Sequence, residues 1–291
     1  MEASAEGMGK KLMIAIKNNH KGVTLIELLV AMAAGTILMA AIYGAYQGQQ
    51  KAFVNQQLMV DMQQNVRAAM LLMTREIRMT GYDPAAADGI DNDGLNGIDD
   101  PAESSGATVL KAGKDWIQFS ADLTGDSDVL DAGEDITYQI SGPDLVRIDP
   151  HDATGGTPQI VAYDIEAVGF AYAYDENTDG QLDTFDGTPN TPVIWAIRKN
   201  PSDTKLGNYL DTDQNGVIDE ADAVGGANLP IQIGYDKIKA VRIWLLGRTR
   251  QPVRGYRDNR SYKVGWQNIT TNDNYRRFLL TATVHCRNQG I

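Results

Sequence analysis

Apolar positions divide the chain into three stretches of different period. Residues 23–46, VTLIELLVAMAAGTILMAAIYGAY, are apolar around a whole helix apart from one carboxylate, Glu27. At about 1.5 Å per residue they reach roughly 36 Å, enough for a hydrocarbon core of about 30 Å, so a transmembrane helix is predicted. The pattern then opens to spacings of three and four, through Val54, Leu58, Met62, Val66, Met70, Met73 and Ile77, while Gln49, Gln50, Lys51, Gln63, Gln64, Arg67 and Arg75 take other positions. One such stripe suits a helix lying on a sheet, and its methionines read as core filler. Gly81 is placed for a left-handed cap and Pro84 forbids continuation, so one helix is expected from residue 23 to about 80.

From Ala107 onward the pattern becomes short β-prone runs between Gly, Asp, Asn and Pro. The candidate strands are 116–120, 135–140, 145–149, 159–165, 168–174, 193–197, 238–246 and 279–287. In the last, Leu280, Ala282, Val284 and Cys286 share one face and Thr281, Thr283, His285 and Arg287 the other, as a half-buried antiparallel strand requires. The expected class is α+β, one helix packed on one antiparallel sheet. Its parts are a leader (1–22), a helix (23–81, transmembrane over about 23–46) and a β-rich domain (82–291) large enough for its own core. Cys286 is the only cysteine, which excludes an intramolecular disulfide and suits a small buried residue.

Lys10, Lys11, Lys17 and Lys21 precede the span, which places the N-terminus in the cytoplasm and everything after Tyr46 outside it. A carboxylate in the membrane costs on the order of 3 kcal/mol, so Glu27 calls for a partner, and an amine is the natural one. A glycine closing a lysine-bearing leader, then Val23, Thr24, Leu25 and a glutamate at the fifth place, resembles the class III signal of type IV prepilins. The resemblance implies cleavage by prepilin peptidase between Gly22 and Val23, N-methylation of Val23, and a role for Glu27 in assembly, its carboxylate meeting the Val23 α-ammonium of this or a neighbouring subunit. Valine departs from the usual phenylalanine at the first mature position, and a start at Met8 gives a leader of more usual length. A conventional signal peptide cut near Ala40 or Ala41 is the competing reading. A plain anchor has no need of Glu27, and a buried core helix none of the lysines.

The ends of the chain narrow the resemblance. Residues 75–84 (REIRMTGYDP), 241–246 (VRIWLL), 275–281 (YRRFLLT) and 286–288 (CRN) resemble minor pilins of the PilW type, the type IV pilus assembly proteins. This implies a low-abundance, non-enzymatic subunit that works with other minor pilins and the major pilin to start a filament. It implies an inner-membrane precursor and a periplasmic or extracellular pilus form. Residues 85–230 carry no such resemblance. A minor pseudopilin of type II secretion shares the leader logic, and a membrane-anchored calcium-dependent adhesin is the alternative of a different class.

The middle of the chain has its own chemistry. Asp175, Asn177, Asp179, Asp183 and Asp186 stand at places 1, 3, 5, 9 and 12 of a loop with Gly180 at 6 and the Gln181 carbonyl at 7. Asp211, Asp213, Asn215, Asp219 and Asp222 repeat the schedule, with Gly216 at 6 and the Val217 carbonyl at 7. This is the ligand spacing of an EF-hand loop without flanking helices, and all-oxygen ligands favour Ca²⁺ over zinc or Mg²⁺. Aspartate at place 12 is short for bidentate binding and points to modest affinity. Asp122, Asp126, Asp131 and Glu134 fit the schedule only with one residue inserted, and the acidic stretch 88–103 has no single register. Solvated Asx-turns are the alternative for all of these loops.

Charge is uneven. Residues 237–291 hold twelve Lys or Arg against two Asp, so the chain's net −12 combines +10 there with −22 over residues 1–236. Arg242, Arg248, Arg250, Arg254, Arg257, Arg260, Arg276 and Arg277 with Trp244, Tyr256 and Trp266 resemble a nucleic-acid face in composition, but an overall −12 repels DNA. A solubilising face or a dock for acidic neighbours fits better. No Gly-x-Ser-x-Gly, His-Glu-x-x-His, P-loop or dinucleotide fingerprint occurs, so no enzyme is expected.

Processing provides the first test. The mature chain should begin at Val23 by intact mass, and Gly22→Ala should leave the precursor uncut, because a side chain obstructs approach to the bond. A mature terminus near Ala41 would support an ordinary signal peptide instead.

Overall fold

The computed structural model describes residues 22–86, 89–90, 104–188 and 191–289. The chain divides into two compact units, Met1–Phe53 and Val54–Ile291. In the first, helix α1 (Leu25–Arg78 in full) runs through an apolar stretch of mean hydropathy 2.3, none of it buried. It begins two residues later than expected because Thr24 serves as its cap.

In the second unit α1 buries Met62, Val66, Ala69, Met70, Met73 and Ile77, the expected stripe, but from Met62 onward only. Val54, assigned to the stripe by spacing, is 48% exposed. The helix ends at Arg78, and Gly81, at φ +76°, donates its N–H to the Ser120 carbonyl at 3.0 Å.

The strands are β1 (Val109–Ala112), β2 (Trp116–Ser120), β3 (Asp135–Ser141), β4 (Asp144–Ile148), β5 (Gln159–Ala162), β6 (Ile165–Tyr174), β7 (Ala196–Arg198), β8 (Lys205–Tyr209), β9 (Ala227–Gly234), β10 (Ile238–Arg248), β11 (Ser261–Val264), β12 (Gln267–Thr270) and β13 (Arg277–His285). Among the described residues they form two antiparallel sheets and a hairpin, in the orders β1-β2-β3-β4-β5, β13-β10-β6-β7-β8-β9 and β11-β12, where one sheet was expected. The run 159–165 divides between sheets. The chain turns at Asp164, φ +56°, whose N–H is accepted by Asp144 at 3.2 Å, and Ile165 starts β6. No Gly or Pro marks that break, and Asp164 is the run's one polar interruption after Gln159. The candidate 193–197 shifts to β7, leaving Val193 in a lone bridge to Thr184. Short β1, β8, β11 and β12, and β9 with Pro230 in its run, carried too little pattern to be expected.

One core holds the helix and both sheets together. Val66, Met70, Met73 and Ile77 meet Ile117, Phe119, Ile136, Tyr138 and Leu145 of the first sheet and Phe170, Tyr172, Ile243, Leu245, Val284 and Cys286 of the second. The alternation expected in β13 is present, with Val284 and Cys286 buried and Thr281, Thr283 and His285 exposed. A second cluster, on the other face of the six-stranded sheet, packs Trp195, Trp244 and Leu246 under Tyr262 and Val264 of the hairpin. The Cys286 thiol is free, and burial pushes its pKa up to about 12, so it stays an inert packing group.

Gly247 shows how close the helix lies. A Cβ there would run into Cγ2 of Val66. Overpacking of this kind costs about 1–3 kcal/mol, so Gly247→Ala should lower the melting temperature and Val66→Ala should restore part of the loss. An unchanged melting temperature would show that helix and sheet separate freely.

Candidate functional site

Gly22 and Val23, the expected processing site, and Glu27 lie where the described chain begins. Thr24 donates its N–H and its hydroxyl to Glu27 Oε2, both at 2.9 Å, and the Glu27 N–H returns to Thr24 Oγ1 at 3.3 Å. This is a capping box. Val23 is linked to Gly22 by a peptide bond, so the carboxylate meets this cap and no α-ammonium. The Thr24-x-x-Glu27 signature was present in the sequence and went unread beside the prepilin pattern.

The acidic loops share one backbone design. Asp175 accepts the N–H groups of Asp179 and Gly180 at 3.2 and 2.9 Å, and Asp211 those of Asn215 and Gly216 at 3.0 and 2.7 Å. Asp122 accepts those of Gly125 and Ser127 at 2.5 and 3.0 Å. The third and fifth residues after each leading aspartate have positive φ, namely Thr178 and Gly180, Gln214 and Gly216, and Gly125 and Ser127. All three leading aspartates are buried to 1% exposure or less. The loop judged irregular by spacing therefore shares the two left-handed positions of the regular ones, although Asp122 takes the N–H of the third residue after it where they take that of the fourth.

Each loop is closed by a carboxylate that accepts the N–H of the residue after the leader, but at a different place. Asp222 takes Thr212 at 2.6 Å and Asp219 at 2.9 Å, at the expected twelfth position. Glu134 takes Leu123 at 2.8 Å and Asp131 at 3.1 Å, its longer side chain spanning the inserted residue. In the first loop Asp183 does this, accepting Glu176 at 3.1 Å. Asp186 is turned outward, to the Thr188 and Thr191 hydroxyls at 2.8 and 2.6 Å.

Carboxylate oxygens of Asp211, Asp213 and Asp222, and of Asp126, Asp131 and Glu134, gather within 4.8 Å of one another. Among the described residues Asp175, Asp179 and Asp183 do not form such a trio. Asn177 and Asn215 each give a side-chain amide to the neighbouring aspartate, Asp179 at 3.1 Å and Asp213 at 2.8 Å. The N–H groups of Gln181 and Val217 go to Asp179 and Asn215 at 2.8 and 2.7 Å. Burial raises the pKa of Asp183, with the charges of Asp175, Glu176 and Asp179 adding to it. Burial likewise raises that of Asp211, with Asp222 contributing. Such groups favour a cation or a proton over an empty cage. The acidic stretch 88–103 lies outside the described residues apart from Gly89 and Ile90.

Two basic side chains stand beside the Asp211–Asp222 loop, a placement that spacing along the chain did not suggest. Lys263 is buried and donates to the Asp222 carbonyl at 3.1 Å. Arg242 lies between the rings of Trp195 and Trp244, 5.3 and 5.6 Å from their centroids, and within electrostatic reach of Asp211. Arg277 is buried against Glu166, Asp258 and Asp273. Arg242 and Arg277 are thus structural, while Arg250, Arg254, Arg257 and Arg260 remain exposed.

Among curated proteins none matches the chain. A solved structure, a type IV-like pilin from Thermus thermophilus, is similar over 78% of this chain and 97% of its own, at 13% identity and a TM-score of 0.38. Residues 17–43 match the family described as prokaryotic N-terminal methylation motif. Residues 134–288, more than half of the chain, match the family described as type IV pilus-assembly protein W, so the chain belongs to that family.

Proposed function

We propose that the protein is a minor pilin, a structural subunit cut between Gly22 and Val23, methylated at Val23, and joined to other pilus subunits through the first half of α1. The observation that carries this reading is the apolar half-helix itself: its membrane-length window buries none of its surface within the chain, while Glu27 stands in its first turn. A bilayer covers that surface before assembly, and the apolar helices of neighbouring pilins cover it afterwards. The cut frees the Val23 ammonium, and Glu27 then exchanges its Thr24 cap for a charge partner in a medium where pairing is strong.

The acidic loops supply a second part of the proposal, Ca²⁺ as a structural ion. The leading aspartates are held in place by backbone N–H groups, and the closing carboxylates bring charge that an ion would neutralise. The loop from Asp122 to Glu134 also ties into the helix end. The Asp122 N–H donates to the Tyr82 carbonyl at 2.8 Å, and Gly133 donates to Asp149, which pairs with Arg147, itself paired with Glu76 of α1. An ion in this loop would brace the junction between helix and domain.

Two measurements test these proposals. Glu27→Val should still be inserted and cleaved, yet pull down partner pilins poorly; capture equal to wild type would remove the charge-pair argument. The melting temperature of the processed full chain should rise with Ca²⁺ and much less with equal Mg²⁺, by the equivalent of about 2.7 kcal/mol per site at a hundredfold excess over Kd. Asp175→Ala with Asp211→Ala should remove most of that rise, and Asp122→Ala with Glu134→Ala the remainder. Identical melting in EDTA and in millimolar Ca²⁺ would reduce all three loops to acidic turns.

A further inference from the structure

Strand β13 ends the six-stranded sheet, and its ladder to β10 shows which of its backbone groups are free. The register pairs Ala240 with His285 and Arg248 with Arg277 through nine consecutive residues without a shift. Beyond its two ends, Cys286 donates its N–H to Lys239 and Arg276 accepts the N–H of Thr249, each at 2.8 Å. Antiparallel pairs alternate between bonded and non-bonded, so the even-numbered residues face β10, and the N–H and C=O groups of Arg277, Leu279, Thr281, Thr283 and His285 point away from it. Among the described residues nothing pairs with those outward groups.

The other sheet edges are blunted. Strands β1 and β5 are four residues long and each has a register shift, while β9 carries Pro230 and an irregular register against β8. Strand β13 has nine residues, no proline, no lysine and no bulge, which makes it a ready template for another strand. Its surroundings are basic. Arg67 stacks over Phe278 at 5.7 Å, Arg248 lies opposite Arg277, and Arg276 precedes the strand. None of these three, nor Arg287 at the far end, enters an ion pair among the described residues, whereas Arg277 is neutralised by three carboxylates.

We infer that the β13 edge pairs with an extended segment of a different subunit, one that is apolar or β-branched along its length and acidic at the end lying against Arg67, Arg248 and Arg276. A second copy is the wrong occupant. Antiparallel self-pairing about Thr281 sets Arg276 opposite Cys286 and Arg277 opposite His285, so a second β13 brings no carboxylate to Arg67, Arg248 and Arg276. Main-chain bonds supply the affinity and the arginines select the partner.

The test uses the processed full chain in detergent with two synthetic nine-residue probes of alternating valine and threonine, one ending in two aspartates and one in two lysines. Residue-resolved amide hydrogen exchange is the readout. With the aspartate peptide, exchange at Leu279, Thr281 and Thr283 should slow about tenfold or more while even-numbered amides, already protected, do not change. The lysine peptide should produce no such slowing at the same concentration. Thr281→Pro removes an N–H that β10 does not use, so it should abolish the effect; Thr281→Lys with Thr283→Lys serves the same purpose should the proline variant fail to fold. No slowing at millimolar aspartate peptide, or equal slowing with the lysine peptide, overturns the inference. Slowing that grows with protein concentration in the absence of peptide assigns the edge to a second copy and overturns it as well.

Discussion

Burial of one stripe of α1 between two sheets is the constraint on which the rest of the second unit depends. Val66, Met73 and Ile77 are fully enclosed and Met70 nearly so, and each such side chain contributes about 1.5–3 kcal/mol when removed from water. The stripe touches both sheets, so it fixes the sheets against each other as well as the helix against them. Gly247 marks the cost of that closeness, since the second sheet approaches Val66 too nearly for any side chain. The other half of the helix answers to different physics. Among the described residues its apolar side chains are left unburied, over a length and hydropathy sufficient to cross a membrane.

Buried Tyr138 and Asp149 and half-buried Glu76 and Arg147 near the helix end form a connected polar set. Tyr138 donates its hydroxyl to Glu76, Arg147 donates to the same carboxylate at 3.2 Å, and Asp149 joins Arg147 to the Gly133 N–H. Burial raises the Tyr138 pKa, and the Glu76 charge raises it further, so the phenol stays a donor across the physiological range. Removing one member leaves the others buried and unpaired, which is the expensive way to break such a set. The set also connects α1 to the loop between β2 and β3, making that loop part of the helix junction. The other two loops belong to the second sheet, where Lys263 and Arg242 moderate the charge gathered around Asp211 and Asp222.

A local pattern was enough to determine much of this molecule. The apolar span with Glu27, the three-and-four spacing from Met62 to Ile77, the stop at Gly81 and the alternation in β13 depend on neighbours a few residues away, and each could be read along the chain. The leading aspartates of the loops belong to the same class, because an Asx-type start followed by positive φ is set within six residues. What tertiary structure decided lies at longer range. The break at Asp164 depends on Asp144, twenty residues earlier, so one aspartate in a β-prone run became the point where the chain passes from one sheet to the other. The carboxylate closing each loop was decided by which side chain could reach the N–H after the leader, and this favoured Asp183 over Asp186 and Glu134 across an insertion. Composition presented Arg242 and Arg277 as surface charge, and the fold set the first, half-buried, against two indoles and buried the second among three carboxylates. Spacing along the chain records periodicity and local turns, whereas partners brought from a hundred residues away, such as Glu166 for Arg277, exist only once the sheet has formed.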